Sequence, residues 1–348
     1  MTYEIATSNR IADIQADTWD SCIGPRPFAD SRWFRFLEAA LPDARPWYLV
    51  VYQDDLPVAA ATCWARRHTY IPFIESPTLK HLGQRFLQQW PLLSCETPLT
   101  EQEGFFFAES DPPRALVQAL TTRLRDLAWS QGAAFLGFDY LAPSMAAQLE
   151  DAVPDLIRTE LPQDTYLDLT WDTFADYVAD LSYRKRKNVR RELRLADKRG
   201  YSIEVWDEFA ERRALLYDLV VRVHRQHGEQ RIPFGPEIYV QAKALQPKAR
   251  VIAICHQGRP VACELLFRDQ GALLPKLVGL DYDHTPFVYA LLAYGEIRHA
   301  IESGARRIHM GSTNYDFKRR LGCQLIPKAY GLLVRPRWLR TGLRRWLA

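Results

Sequence analysis

The chain has 348 residues, of which 47% are hydrophobic, 25% charged and 12% aromatic; this excludes a disordered or fibrous protein and is long enough for two domains. Its formal charge of +3 is unevenly placed, since residues 184–199 carry nine Lys or Arg against two acids and residues 317–348 carry nine and no acid. Two basic regions on an otherwise acidic chain favour an anionic partner such as a phosphorylated cofactor, an RNA or a lipid headgroup, with a merely solvated surface as the alternative.

In chain order, a short strand-like stretch opens the chain and residues 17–22 read as a turn. Trp33, Phe34, Leu37 and Ala40 or Leu41 share one side of a helix predicted over 30–40. Residues 47–53 and 56–64 are apolar, strand-like runs around Asp54 and Asp55, a hairpin signature. A strand at 105–109, a helix at 113–132 and a strand at 133–138 follow. The Pro- and acid-rich stretch 151–163 marks a boundary, so domains are expected at 1–155 and 160–332, with a basic amphipathic tail at 333–348.

The second half repeats this order. It has a strand at 165–169, one or two helices at 173–199, a strand at 201–206 and a helix at 209–227. Strands at 250–256, 260–267 and 272–281, a helix at 286–303 and a strand at 307–310 come next. Two related α/β (α+β) units in tandem, with mixed, mostly antiparallel sheets, are therefore expected.

Six cysteines with no CxxC pair and no dense spacing argue against a disulfide scaffold or a structural zinc site and point to free thiols. The N-terminus lacks the basic start and apolar stretch of a signal peptide, and no run of about 18 apolar residues occurs. A cytoplasmic protein without a membrane span is expected.

On the basic helix, Arg184, Lys187, Arg191 and Arg194 recur at helical spacing, and Lys185, Arg186 and Arg190 widen the positive face. Such a face suits a polyanion; a crowded, solvated helix is the alternative, and phosphate contacts position a partner without identifying it. After the strand at 307–310, the run Gly311–Gly322 places Ser312, Thr313 and Asn314 at a strand end, where exposed polar groups gather. Within it, Lys318 can neutralise a phosphate or a developing oxyanion and Tyr315 can exchange a proton; a surface turn leading into a basic element is the alternative. Glu264 and Asp281 lie in or at the end of apolar strands, where a carboxylate is costly unless paired or used. Either can steer or deprotonate an amine, or pair with the basic helix. His224 and His227 stand three apart with only Glu229 near them, so no metal site is expected. No GxSxG elbow, Walker lysine loop or GxGxxG occurs. In the tail, a helix beginning at Pro336 puts Trp338, Leu339, Leu343, Trp346 and Leu347 along one side and Arg337, Arg340, Arg344 and Arg345 around the rest. That chemistry suits an anionic membrane surface at 336–348 and equally suits docking onto the domain or a protein.

Taken together, several features of the second half resemble the GCN5-related N-acetyltransferase (GNAT) superfamily. They are Phe174, Tyr177–Leu181, the basic stretch 184–194, the strands at 251–267 and 276–281, the helix at 291–304 and the close Gly311–Gly322 with Tyr315, Lys318 and Gly322. Within the superfamily the resemblance is nearer to the branch of Fem-like aminoacyltransferases and bacterial peptidoglycan biosynthesis or recognition acyltransferases. It covers roughly residues 160–330, while the first half matches by its order of elements.

The resemblance implies tandem GNAT-like domains and transfer of an acyl group from acyl-coenzyme A, or from aminoacyl-tRNA, to an amine acceptor, with no metal. It implies that Arg184, Lys187, Arg190, Arg191, Asn314 and Lys318 hold the donor and that Lys318 also stabilises the oxyanion. Tyr315 then moves a proton or positions substrate, and Glu264 with Asp281 orients or deprotonates the amine. Two features depart from the pattern. The loop Tyr282–Pro286 lacks the glycine-rich pyrophosphate motif of coenzyme A users, and residues 173–228 leave little spare length for the helical arm of Fem enzymes. A smaller relative acting on another amine, including a lipid amine, is thus expected. A non-catalytic binding module that kept the fold for its positive surface, perched on RNA, lipid headgroups or an envelope partner, is the alternative.

Overall fold

The computed structural model describes residues 3–66, 91–228, 232–284 and 287–347, and of Arg66 and residues 344–347 only the backbone. Contacts divide the chain into two compact units, Met1–Gln163 with Pro327–Ala348, and Asp164–Ile326.

The first stretch of chain forms β1 (Glu4–Ser8), α1 (Ala16–Ile23), α2 (Ser31–Ala40), β2 (Ala44–Gln53), β3 (Leu56–Arg66), β4 (Leu92–Thr97), β5 (Gln102–Glu103), β6 (Phe105–Phe107), α3 (Arg114–Ser130), β7 (Phe135–Leu141), α4 (Pro143–Ala152) and β8 (Ile157–Asp168). It continues through α5 (Phe174–Asp180), α6 (Tyr183–Lys198), β9 (Tyr201–Trp206), α7 (Arg213–Gln226), α8 (Ile238–Lys243), β10 (Ala249–His256), β11 (Arg259–Asp269) and β12 (Ala272–Leu280). The last elements are α9 (Phe287–Glu302), β13 (Arg307–His309), α10 (Tyr315–Leu321), β14 (Gln324–Val334) and α11 (Arg337–Leu347).

In the first unit the strand order is β1-β2-β3-β4-β7-β14, antiparallel except for the β4–β7 pair. Asp54 and Asp55 take φ of 52° and 64° between β2 and β3, the double left-handed turn whose twist matches a hairpin. Asp30 caps α2 by accepting a hydrogen bond from Trp33 N at 2.7 Å. Residues 17–22 lie in helix α1 rather than in a turn, because Trp19, Cys22 and Ile23 fall on one helical face and are buried. The stretch 151–163 holds the end of α4 and the start of β8, and the first unit divides from the second after Gln163. The second unit ends at Ile326, short of the expected 332, because Ala329 to Val334 of β14 pair with Leu141 to Phe135 of β7. The tail likewise belongs to the first unit.

In the second unit β9, β10, β11 and β12 form an antiparallel meander, with β13 parallel to β12 and antiparallel to β8. Helix α9 packs its Val288, Leu291, Leu292 and Ile297 with Ile252, Ile254, Leu266 and Leu273 of the strands. Gly295 permits this approach, since a Cβ there would collide with Ile252 and lie 2.7 Å from Ile203 Cγ2. The residue after Gly295 is thereby pressed toward the sheet.

Candidate functional site

That residue is Glu296, only 3% exposed and buried against Glu264 of β11, with which it shares a side-chain hydrogen bond. Opposite Glu264 the ladder slips: Cys263 pairs with Gly279 but Leu265 with Lys276, so Leu277 and Val278 of β12 face one residue of β11. Leu277 takes a φ of 64°, which costs a leucine about 1 kcal/mol or more and is characteristic of functional sites. A bulge of this kind bends a strand and re-aims its side chains. Burial, then the charge and hydrogen bond of Glu264, push the Glu296 carboxyl well above the ordinary carboxylate range. Burial also raises Glu264, opposed by the hydrogen bond from Glu296 and by the charges of Lys276 and Lys318. Of the two, Glu296 is pushed up further and donates the shared hydrogen bond, which the Glu264 carboxyl accepts.

Lys318 of α10, which with Lys276 of β12 is one of two cations that act on Glu264, is 3% exposed. Its Nζ donates to the Gly311 carbonyl at 2.9 Å, and Thr165 Oγ1 donates to the same oxygen at 2.5 Å. The short helix that carries it starts at Asn314, left-handed at φ 54°, and stops at Gly322, whose φ of 96° closes the C-terminus. The Asn314 side chain is hydrogen bonded to Tyr289 of α9, whose hydroxyl is pushed up by burial and then by the charges of Glu264 and Glu296. The Tyr289 ring lies 5.2 Å from that of Phe317. Tyr315 opens α10 and is half-buried. The arrangement offers a desolvated ammonium beside a carboxyl pair that holds one proton and can accept another. An ammonium so placed is costly unless compensated or used.

Of the acids expected to work together, Glu264 meets Glu296 and Lys318, whereas Asp281 pairs with Arg222 of α7 at 3.4 Å. Glu296, Tyr289 and Thr165 escape sequence reasoning; the available signal for Glu296 was a lone acid within the apolar body of α9.

On α6, Arg184, Lys187, Arg190, Arg191 and Arg194 are exposed. The positive face is narrower than the sequence suggests: Lys185 donates to the Arg319 carbonyl at 2.9 Å, and Arg186 to the carbonyls of Ala179 at 2.5 Å and Leu181 at 3.1 Å. Glu192 accepts from the Tyr294 hydroxyl at 2.5 Å, holding the helix to α9. Tyr183 at the head of the stripe is 72% exposed. In the first unit, Leu339 and Leu343 of α11 pack with Tyr330, Leu332 and Val334, and Arg340 pairs with Asp155, while Trp338 and Arg337 face outward. The side chains of Arg344, Arg345, Trp346 and Leu347 lie outside the described set, as do Glu229 and Pro286 entirely. The His224 ring stacks edge-on to Phe234. Among the described residues no three His, Cys, Asp or Glu come together to hold a metal ion, and no helix is long and apolar enough to cross a membrane. All six cysteines are free.

A model of the FemAB-like family, described as peptidoglycan biosynthesis/recognition, matches residues 10–333. The chain is similar to the solved structure of FemX, with a TM-score of 0.64, 12% identity and coverage of 95% of this chain and 98% of that one. It is also similar to a tandem GNAT protein from the clavulanic acid biosynthesis pathway, with a TM-score of 0.59, 14% identity and coverage of 96% and 99%. A third similar structure is the C-terminal domain of a putative lysylphosphatidylglycerol synthetase from Agrobacterium fabrum, with a TM-score of 0.58, 13% identity and coverage of 94% and 93%. At these identities the likeness is one of fold, and it gives the tandem GNAT-like topology. Two curated relatives from strains of Mycobacterium tuberculosis, each named putative 8-amino-7-oxononanoate synthase 2, are 26% identical over 259 residues, 71% of this chain. The chain spans only 33% of their length.

Proposed function

Because the chain belongs to the FemAB-like family, within the GNAT superfamily, we propose that it is an N-acyltransferase that moves an acyl or aminoacyl group from an activated ester or thioester to an amine. The observation that carries this reading is the buried Lys318 ammonium beside the Glu264–Glu296 pair. The amine nitrogen attacks the carbonyl carbon, and Lys318 stabilises the tetrahedral oxyanion that forms. Glu264 takes the proton released by the amine and returns it to the leaving oxygen or sulfur as the carbon–nitrogen bond replaces the ester or thioester bond. Glu296 keeps its proton and fixes the Glu264 carboxylate in place. Tyr315 opens the helix that carries Lys318 and is assigned to positioning substrate or moving a proton, and the Asn314 side chain hydrogen bonds to Tyr289. Asp281 takes no part, its carboxylate being held by Arg222.

For the donor we favour aminoacyl-tRNA over acyl-coenzyme A. The exposed cations of α6 run from Arg184 to Arg194, about 15 Å along a helix, which is longer than one diphosphate and suits successive phosphates of a nucleic acid. Tyr183 at its head offers an exposed ring for an unstacked base. The acceptor is an amine, and 8-amino-7-oxononanoate, the amine in the name of the curated relatives, belongs in the panel of acceptors with peptidoglycan-precursor and lipid amines.

The test is native mass spectrometry, after mild extraction, of the protein from its own host, followed by transfer assays with the donor recovered. Retained tRNA supports the aminoacyl reading, and retained acyl-coenzyme A moves the donor to the thioester. A folded protein that acylates no amine in the panel from either donor overturns the enzyme and favours the binding module.

A further inference from the structure

At the C-terminal end of α9, a cleft of about 280 Å³ opens in the second unit between the ends of β10, β11 and β12. Lys248, Arg250 and Arg268 line it with a single acid, Asp269, and His299 of α9 stands at its wall. Lys248 is paired with Asp269 at 2.7 Å and Arg250 with Asp207 at 2.6 Å. Arg268 pairs with no carboxylate among the described residues. Arg306 runs along the rim, close enough that a Cβ on Gly271 would lie 3.0 Å from its Nε, and it too meets no carboxylate among the described residues. His299 is 9% exposed and hydrogen bonds through its ring to none of the described groups. Burial, then the charges of Arg250 and Arg268, lower its pKa, so it is a neutral imidazole with one N–H to give.

A surplus of positive charge around a small cleft, with an imidazole N–H at its wall that no described group takes up, is the environment of a bound anion. We propose that this cleft binds a small oxyanion, the carboxylate or phosphate group of a compact molecule, gripped by Arg268 and met by His299. His299 lies three residues beyond Glu296 on α9, about 4.5 Å of helix rise, and the cleft's lining includes neither carboxyl of the pair nor Lys318. The cleft is also just below the range of about 300–1,000 Å³ that holds drug-sized ligands, so it takes a compact anion and not a nucleotide coenzyme.

The experiment titrates inorganic phosphate, and separately acetate, into the full chain at constant ionic strength. Binding is followed by calorimetry and by the ring-nitrogen signals of ¹⁵N-labelled histidine. The expected result is one saturable event with at least one of the two anions, accompanied by a shift of the His299 signals, which His299→Phe identifies by their loss. Arg268 is exposed, so Arg268→Ala is expected to melt as the wild type does without anion and to bind at least about tenfold more weakly. Arg123→Ala, in the other unit, is expected to leave binding unchanged. Saturation by phosphate alone identifies a phosphorylated ligand, and by acetate alone a carboxylate. No saturable binding of either anion, binding that Arg268→Ala leaves intact, or binding without movement of the His299 signals overturns the site.

Discussion

Replacing Lys318 with methionine separates the two things a buried ammonium can do. The methionine keeps an unbranched side chain in a position only 3% exposed, so no large cavity opens. The Gly311 carbonyl loses the donor at 2.9 Å but keeps Thr165 Oγ1 at 2.5 Å, a net cost of about 1 kcal/mol. Glu264 loses one compensating charge and keeps that of Lys276; removing one partner of a buried charge pair costs about 3–5 kcal/mol where nothing else compensates. The variant is therefore expected to be destabilised by no more than about 5 kcal/mol, a fall in melting temperature of no more than about 20 °C for a unit of this size. The chemical step has no such compensation: losing an oxyanion donor costs about 2.7–4 kcal/mol, or 10²–10³ in turnover. Single-turnover transfer at saturating donor and acceptor, run beside a thermal melt of the same preparation, measures both. A folded Lys318→Met protein that keeps more than about a tenth of wild-type turnover refutes the oxyanion assignment.

The carboxyl pair makes a prediction about pH. Folded Glu296 keeps its proton well above the 4.5 of an ordinary carboxyl, so the folded state binds more protons than the unfolded one. Its contribution to stability is then complete below about pH 4.5 and is lost as pH rises toward the folded pKa. Glu296→Gln donates without titrating and is expected to gain on the wild type in urea midpoints as pH rises above about 4.5; a constant difference contradicts the shared proton. Changing Arg184, Lys187, Arg190 and Arg191 together to Gln removes only exposed charges and is expected to lower the slope of log K against log salt for tRNA binding by about three. An unchanged slope places the RNA elsewhere or nowhere on the chain. Burial pushes the thiols of Cys255, Cys263 and Cys323 up to about 12 and that of Cys22 up to about 11. A thiol reagent at about pH 8 is therefore expected to label the native chain slowly and all six cysteines once urea unfolds it; rapid labelling of the native chain counts against that burial.

Much of the fold was legible because local chemistry and tertiary demand agree. Asp54 and Asp55 tolerate left-handed backbone, Asp30 caps a helix, and the long apolar runs of β10 to β12, set off by turns, form strands that are mostly buried. The failures have physical reasons. Leu92–Thr97 of β4 is buried on both faces, so it lacks the alternation by which strands are recognised. In β14 the Pro327 and Lys328 within Gln324–Val334 mask a strand whose second half is entirely buried. Residues 17–22 carry turn-forming Asp and Ser, yet Trp19, Cys22 and Ile23 bury one side of a helix, and that burial outweighs weak local preference.

The site divides in the same way. Glu264 and Asp281 gave the same signal, an acid in an apolar strand context, and only tertiary contacts tell them apart. Arg222 reaches Asp281 from α7 and turns it into one half of an ion pair, worth little at a surface. Glu264 meets a second carboxyl instead, and the cost of that meeting is met only if a proton is shared and a cation stands near. Both conditions come from segments that no spacing links to β11: Gly295 lets α9 deliver Glu296, and the short turn between Asn314 and Gly322 delivers Lys318. The bulge that aims Glu264 lies beyond sequence reading altogether, since leucine has no preference for the left-handed φ that Leu277 adopts. A strained leucine, a carboxyl pair and a buried ammonium each lower stability separately. Their coincidence at one point of the second unit is what a folded chain tolerates where it is used, and it is the physical ground for locating the chemistry there rather than along the more conspicuous basic helix.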